Sequence, residues 1–211
     1  MNVIEGKKRK ERSDRKHDIK PTIPFQLRET ICRLSYITDT PIKDVGEYIT
    51  ELGLESEQVL DYLSKHFKRD FNYKTTFYIG DLNVEKLTMK NINKQANSTT
   101  RITIRFKKET YEYINKLAFS LDVTPSMATA LVLDASMRHS DVVNKYIKTY
   151  LKERLNGTKM KELKKILSFI NDNNPYDKEV TWAELLSYIY DEIKSGANTI
   201  TNTIHSWLDK K

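Results

Sequence analysis

Residues 100–138 read TRITIRFKKETYEYINKLAFSLDVTPSMATALVLDASMR, and the fold turns on this stretch. RITIRF alternates strictly, with Arg101, Thr103 and Arg105 on one face of a strand and Ile102, Ile104 and Phe106 on the other. Tyr111, Ile114, Leu117, Ala118 and Leu121 then recur at helical spacing, which predicts a first helix. Asp122-Val123 makes a short turn. Thr124-Pro125 supplies an N-cap and an N1 proline for a second helix. That second helix, SMATALVLDASM, is apolar nearly all round and must be buried from several sides.

One strand cannot satisfy its own backbone donors and acceptors, and a lone ribbon is not a fold. The expectation is a partner copy of the chain. Two strands would pair antiparallel over interlocked helices, with Ile102, Ile104 and Phe106 in the dimer core. The outward face would carry Arg101, Thr103 and Arg105 twice. A two-stranded ribbon fits the major groove of B-DNA, where Arg binds guanine bidentately and Thr meets thymine methyls.

At these residues the chain resembles the ribbon-helix-helix family of DNA-binding proteins, the Arc/MetJ/CopG type. The resemblance rests on RITIRF, the helix from about Lys108 to Leu121, the turn DVTPS and the buried helix to Met137. It implies base reading by Arg101, Thr103 and Arg105. It also implies phosphate contacts at the start of the second helix, at Thr124, Pro125 and Ser126, and we add Lys107 to that set. Pro125 has no amide proton, and the inter-helix turn holds Asp122 where the family usually has Gly. The competing reading is an ordinary α+β domain with an R-x-T-x-R edge strand.

Working outward, residues 83–99 read as a polar, Asn-rich linker, and residues 21–82 as a helical region. Leu27, Ile31 and Leu34 mark a first helix. Thr40-Pro41 caps a second that Gly53 ends, and Glu55 to Phe67 forms a third. Tyr73 to Ile79 reads as a strand, turned by Gly80-Asp81. PTIPFQLRETICRLSYITDTPIKDVGEYI gives a weaker echo of the central motif, although Pro21 and Pro24 interrupt its strand. Val45 to Tyr62 alternatively resembles a helix-turn-helix, with Glu55, Glu57 and Asp61 ill placed to face phosphate. A plain helical packing unit is the third reading. Residues 139–211 are expected to be helical, with Asn156-Gly157 as a break and Thr181 as a cap.

The 211 residues carry 36 Lys+Arg against 29 Asp+Glu, a net charge of +7. The excess is clustered. Residues 1–20 form a basic arm through KKRKERSDRKHDIK. Between Val84 and Lys108, Lys86, Lys90, Lys94, Arg101, Arg105, Lys107 and Lys108 face only Glu85. Clustered positive charge favours a polyanionic partner.

A single cysteine, Cys32, gives no disulfide and no Cys-rich zinc site. His17, His66, His139 and His205 lack metal-binding spacing, and no glycine-rich phosphate loop occurs. No apolar run approaches the about 18 residues of a membrane span, and the N-terminal segment lacks a signal-like apolar core.

The expectation is a mainly α protein with a ribbon-helix-helix core, with no enzyme activity, metal or cofactor. Its partners would be double-stranded DNA and itself, as a homodimer or higher. The C-terminal helices are candidates for a protein partner. The setting would be cytoplasmic, nucleoid- or plasmid-associated, in transcriptional repression or as a relaxosome-type accessory of plasmid maintenance or transfer. A helical interaction module that never touches DNA is the alternative.

Overall fold

The computed structural model describes residues 15–92, 98–151, 155–172, 174–176, 179–185 and 187. Lys7 to Asp14 of the basic arm, Lys94 and the helix expected at Asn198 to Leu208 lie outside them.

The described chain is mainly helical with short antiparallel strands. It begins with β1 (His17–Ile19), β2 (Thr22–Pro24), α1 (Phe25–Thr38), α2 (Ile42–Glu55) and α3 (Glu57–Ser64). A hairpin of β3 (Phe71–Tyr73) and β4 (Thr76–Tyr78) and the one-turn α4 (Met89–Ile92) follow. Next come β5 (Thr99–Arg101), β6 (Ile104–Phe106), α5 (Lys108–Ser120) and α6 (Pro125–Arg138). Then come α7 (Ser140–Tyr150) and α8 (Gly157–Asn171).

The strand partner expected from a second copy comes from this chain. β1 pairs with β6, His17 opposite Phe106 and Ile19 opposite Ile104. β2 pairs with β5, Thr22 opposite Arg101 and Pro24 opposite Thr99. The two ladders share one unbroken register, so residues 17–24 and 99–106 form a single ribbon. Residues 17–20, read as the end of a basic arm, are therefore part of it. So is Thr99, read as linker.

The prolines that argued against a first strand are tolerated for a local reason. Ile102 N donates to Pro21 O (3.3 Å), but Pro21 has no N–H to return the bond, and the ladder is interrupted there. Antiparallel alternation turns the Pro24 nitrogen away from the partner strand, so no bond is lost. The ribbon is closed off beside it by Phe25 N donating to Ser98 O (3.1 Å).

Each ribbon strand runs into two helices, and the two units match position for position. Phe25 and Lys108 start the first helices, Asp39 and Asp122 sit in the turns, and Ile42 and Pro125 start the second helices. Glu55 and Arg138 end them, all at one constant spacing along the chain. Both turn aspartates are left-handed, at φ 52° and 57°. Aspartate tolerates this conformation better than most residues, which is why Asp122 stands where glycine would otherwise serve.

Applied to the ribbon, the same spacing makes Lys20 equivalent to Thr103, and the register also pairs them. Applied to the helices, it makes Gly53 equivalent to Ser136. A Cβ on Gly53 would lie 1.7 Å from Ser136 Oγ, so these two residues also meet. A pseudo-twofold axis thus runs through the centre of the ribbon and between α2 and α6.

Gly53 was expected to end α2, yet the helix continues to Glu55. Its role is close approach of two backbones. α2 also starts one residue late: Pro41 is the N-cap, without a side-chain bond, and Thr40 Oγ1 donates to Thr38 O (3.2 Å). In the second unit the expected cap forms, Met127 N donating to Thr124 Oγ1 (3.2 Å). The strand expected at Tyr73 to Ile79 is instead the β3–β4 hairpin, turning at Lys74, φ 53°.

Ile102, Ile104 and Phe106 are buried, as are Ile19 and Ile23 from the other strand. α6 is buried throughout from Ala128 to Arg138. Its cover was expected to need a second chain, but α2, α3, α5, α7 and α8 of this chain provide it. Inside that cover Arg138 donates through Nε to Asp134 Oδ2 (3.0 Å) and also reaches the carbonyl oxygens of Phe169 and Asp172.

The outer helices treat the two units differently. α8 packs on α1 and α7 on α2, whereas β3 packs on α5. Tyr146, on the C-terminal helix α7, is buried, its hydroxyl 3.1 Å from Thr38 Oγ1. Tyr150 stacks on Tyr48 at 4.5 Å, and Leu185 is buried. Thr181 caps the segment after it through a reciprocal box with Glu184. No described helix is long and apolar enough to cross a membrane.

Candidate nucleic-acid interface

The outer face of the ribbon is formed by Asp18, Lys20 and Thr22 on one strand and Arg101, Thr103 and Arg105 on the other, all exposed. Alternation forces this set outward once Ile19, Ile23, Ile102, Ile104 and Phe106 face the core. The three residues expected to read bases therefore stand together on one exposed surface. The three opposite them were missed because the prolines masked the alternation of DIKPTI. The polar parity at Asp18, Lys20 and Thr22 was the available signal.

Each arginine is steadied from the other strand. Arg105 Nε donates to Asp18 Oδ1 at 3.0 Å, with both side chains about half exposed. Arg101 Nε donates to Thr22 Oγ1 at 3.3 Å. Both bonds use Nε, and both arginines are exposed on this face.

Of the residues assigned to phosphate, Lys107 is exposed just past the ribbon. Thr124 and Ser126 have structural work. Thr124 caps α6, and Ser126 Oγ donates to Lys20 O (2.8 Å), which ties the start of α6 to the centre of the ribbon. Pro125 lacks an N–H, so it offers no amide to an anion at this helix start. No acid occupies the first turn of α6, whereas α2 carries Asp44 at the equivalent end. An anion is therefore better received at α6.

The N-terminal side of the ribbon is strapped down by Lys16, whose Nζ lies 2.6 Å from both carboxylate oxygens of the buried Glu47. The hydrogen bond to Glu47 holds the Lys16 amine above its ordinary range, against the opposing effect of burial. His17 stacks on Tyr111 at 4.6 Å, fixing the strand against α5. Elsewhere in the basic segment, Lys86 lies 3.8 Å from Asp122, on the hairpin side of α5. The ribbon thus gathers Arg101, Arg105 and Lys107 of the clustered cations and does not gather Lys86.

No family model, curated protein or solved structure matches this chain.

Proposed function

We propose that this chain is a double-stranded DNA-binding protein of ribbon-helix-helix type in which one chain supplies both ribbon strands. The observation that carries the reading is the outer ribbon face, with Arg101, Arg105 and Lys20 exposed among Thr22 and Thr103 and only Asp18 opposing them. A ribbon of this width enters the major groove, and arginine forks there match guanine O6 and N7. Lys107 and the start of α6 would hold the flanking phosphates. Binding to DNA adjoining the chain's own gene would place it in transcriptional control; iterated sites would fit plasmid maintenance or transfer.

The test is fluorescence anisotropy of labelled duplex DNA across a salt series, with the wild-type chain and an Arg101→Ala/Arg105→Ala variant. The wild type should bind with log K falling linearly against log salt. The variant should stay folded and lose about 1–3 kcal/mol per arginine on a preferred site. A folded wild type without salt-dependent duplex binding rejects the proposal.

The alternative, an interaction module without DNA, has its own observation. Phe77, Ile79 and Leu82 on and after the hairpin are 59%, 79% and 71% exposed. It predicts that these residues, and not the ribbon, are needed for function.

A further inference from the structure

A ribbon made by two identical strands presents the same side chains to both halves of a site, so it selects a palindrome. This ribbon has the twofold geometry without the twofold chemistry. Across the axis at Lys20 and Thr103, equivalent outward positions hold Asp18 and Arg101, Lys20 and Thr103, and Thr22 and Arg105. One end of the ribbon therefore shows Arg105 beside Asp18, and the other shows Arg101 beside Thr22.

We infer that one chain reads a non-palindromic duplex element, and that Asp18 sets the difference between its two ends. The inference rests on the DNA-binding reading above and specifies the substrate of that same surface. Asp18 acts in two ways. Its Oδ1 accepts the hydrogen bond from Arg105 Nε (3.0 Å), which leaves the two terminal nitrogens to donate to a purine edge. Its carboxylate also accepts from the exocyclic amine of cytosine and repels phosphate and acceptor-rich base edges. At the other end Thr22 accepts from Arg101 Nε (3.3 Å) and brings a methyl group with no charge, which suits thymine. The start of α6 reinforces the polarity, since Ser126 binds the backbone of Lys20 and its first turn carries no acid, unlike that of α2. The phosphates flanking the two halves are therefore not held alike.

The experiment is selection from a random duplex pool by the full-length chain, with the number of chains per selected element measured by sedimentation. Two variants are run in parallel: Asp18→Asn, and the symmetrising triple Asp18→Arg/Lys20→Thr/Thr22→Arg, which makes the outward positions of both strands alike. The wild type is expected to select an element without twofold symmetry, bound by one chain. Asp18→Asn is expected to relax preference by about tenfold at one end only, the ratio one well-made base contact carries. The triple variant is expected to prefer a palindrome built from the half read by Arg101, Thr103 and Arg105.

A palindromic element bound by one wild-type chain overturns the inference and leaves the DNA-binding reading standing. Equal relaxation at both ends in Asp18→Asn overturns it as well, even if the triple variant does not fold. A folded triple variant that keeps the wild-type preference also counts against it. Absence of any selected element, with no duplex affinity, removes both the inference and the reading beneath it.

Discussion

Gly53 and Ser136 touch each other at equivalent places in two strand–helix–helix units of one chain. A Cβ added to Gly53 would overlap Ser136 Oγ at 1.7 Å and lie 2.9 Å from Ser136 Cβ, with Val132 also close at 3.3 Å. Self-contact between equivalent positions is what a twofold axis requires, and here the axis lies inside a single polypeptide.

Gly53→Ala should therefore destabilise the chain. Overpacking in a core costs about 1–3 kcal/mol. The loss should fall sharply in Gly53→Ala/Ser136→Gly, which returns the space from the other side. A double-mutant cycle by denaturant unfolding measures this, and additive losses would mean that the two positions do not meet.

Phe106 is fully buried beneath the ribbon. Phe106→Ala should cost about 3–5 kcal/mol. Because the opposing strand belongs to the same chain, the unfolding midpoint of wild type and variant should not move with protein concentration. Thermal unfolding over a hundredfold concentration range reads this directly. A midpoint that rises with concentration would place ribbon pairing between chains.

His139 links α6 to α7, is 7% exposed, and has an Nδ1 without a hydrogen-bond partner. Burial holds its pKa below the ordinary 6.5, against a smaller upward effect of Asp141. The unfolded chain therefore takes up this proton first. Stability from His139 is complete above its ordinary pKa and is lost as pH falls below it toward the depressed folded value. Melting temperature followed from pH 7 downward should show this fall, and His139→Gln should flatten it. An unchanged pH profile in the variant would assign the fall to other groups.

Much of this architecture is legible in residues 100–138, since alternation, capping and a helix apolar on every side leave few choices. The structure bears out the inward face of RITIRF, the Thr124 cap and the buried second helix. What misled was the first unit. Pro21 and Pro24 read as breaks, yet one sacrifices a single ladder bond and the other has none to lose. Matching Phe25 to Phe106 leaves the stretch to Pro41 shorter than the stretch to Pro125. Aligning the turn aspartates, Asp39 with Asp122, removes the discrepancy, because φ > 0 fixes the end of a helix more firmly than the identity of an aromatic residue. The same prolines mask the alternation at Asp18, Lys20 and Thr22, and with it half of the candidate site. The placement of α7 and α8 on the first unit was not legible either. Their aromatics fit a packed face and a docking face equally well until Thr38 and Tyr48 are seen to meet them.

The central claim is that one chain builds the whole ribbon, and a disulfide across its centre tests it most directly. Lys20 and Thr103 oppose each other at a non-hydrogen-bonded pair, where side chains approach closely. Both would be replaced by cysteine in a Cys32→Ala background, and the purified chain oxidised at several dilutions. Intact mass without reductant should then be that of a single cross-linked chain, unchanged by dilution. Covalent dimers joined through residues 20 and 103, diminishing on dilution, would contradict the account.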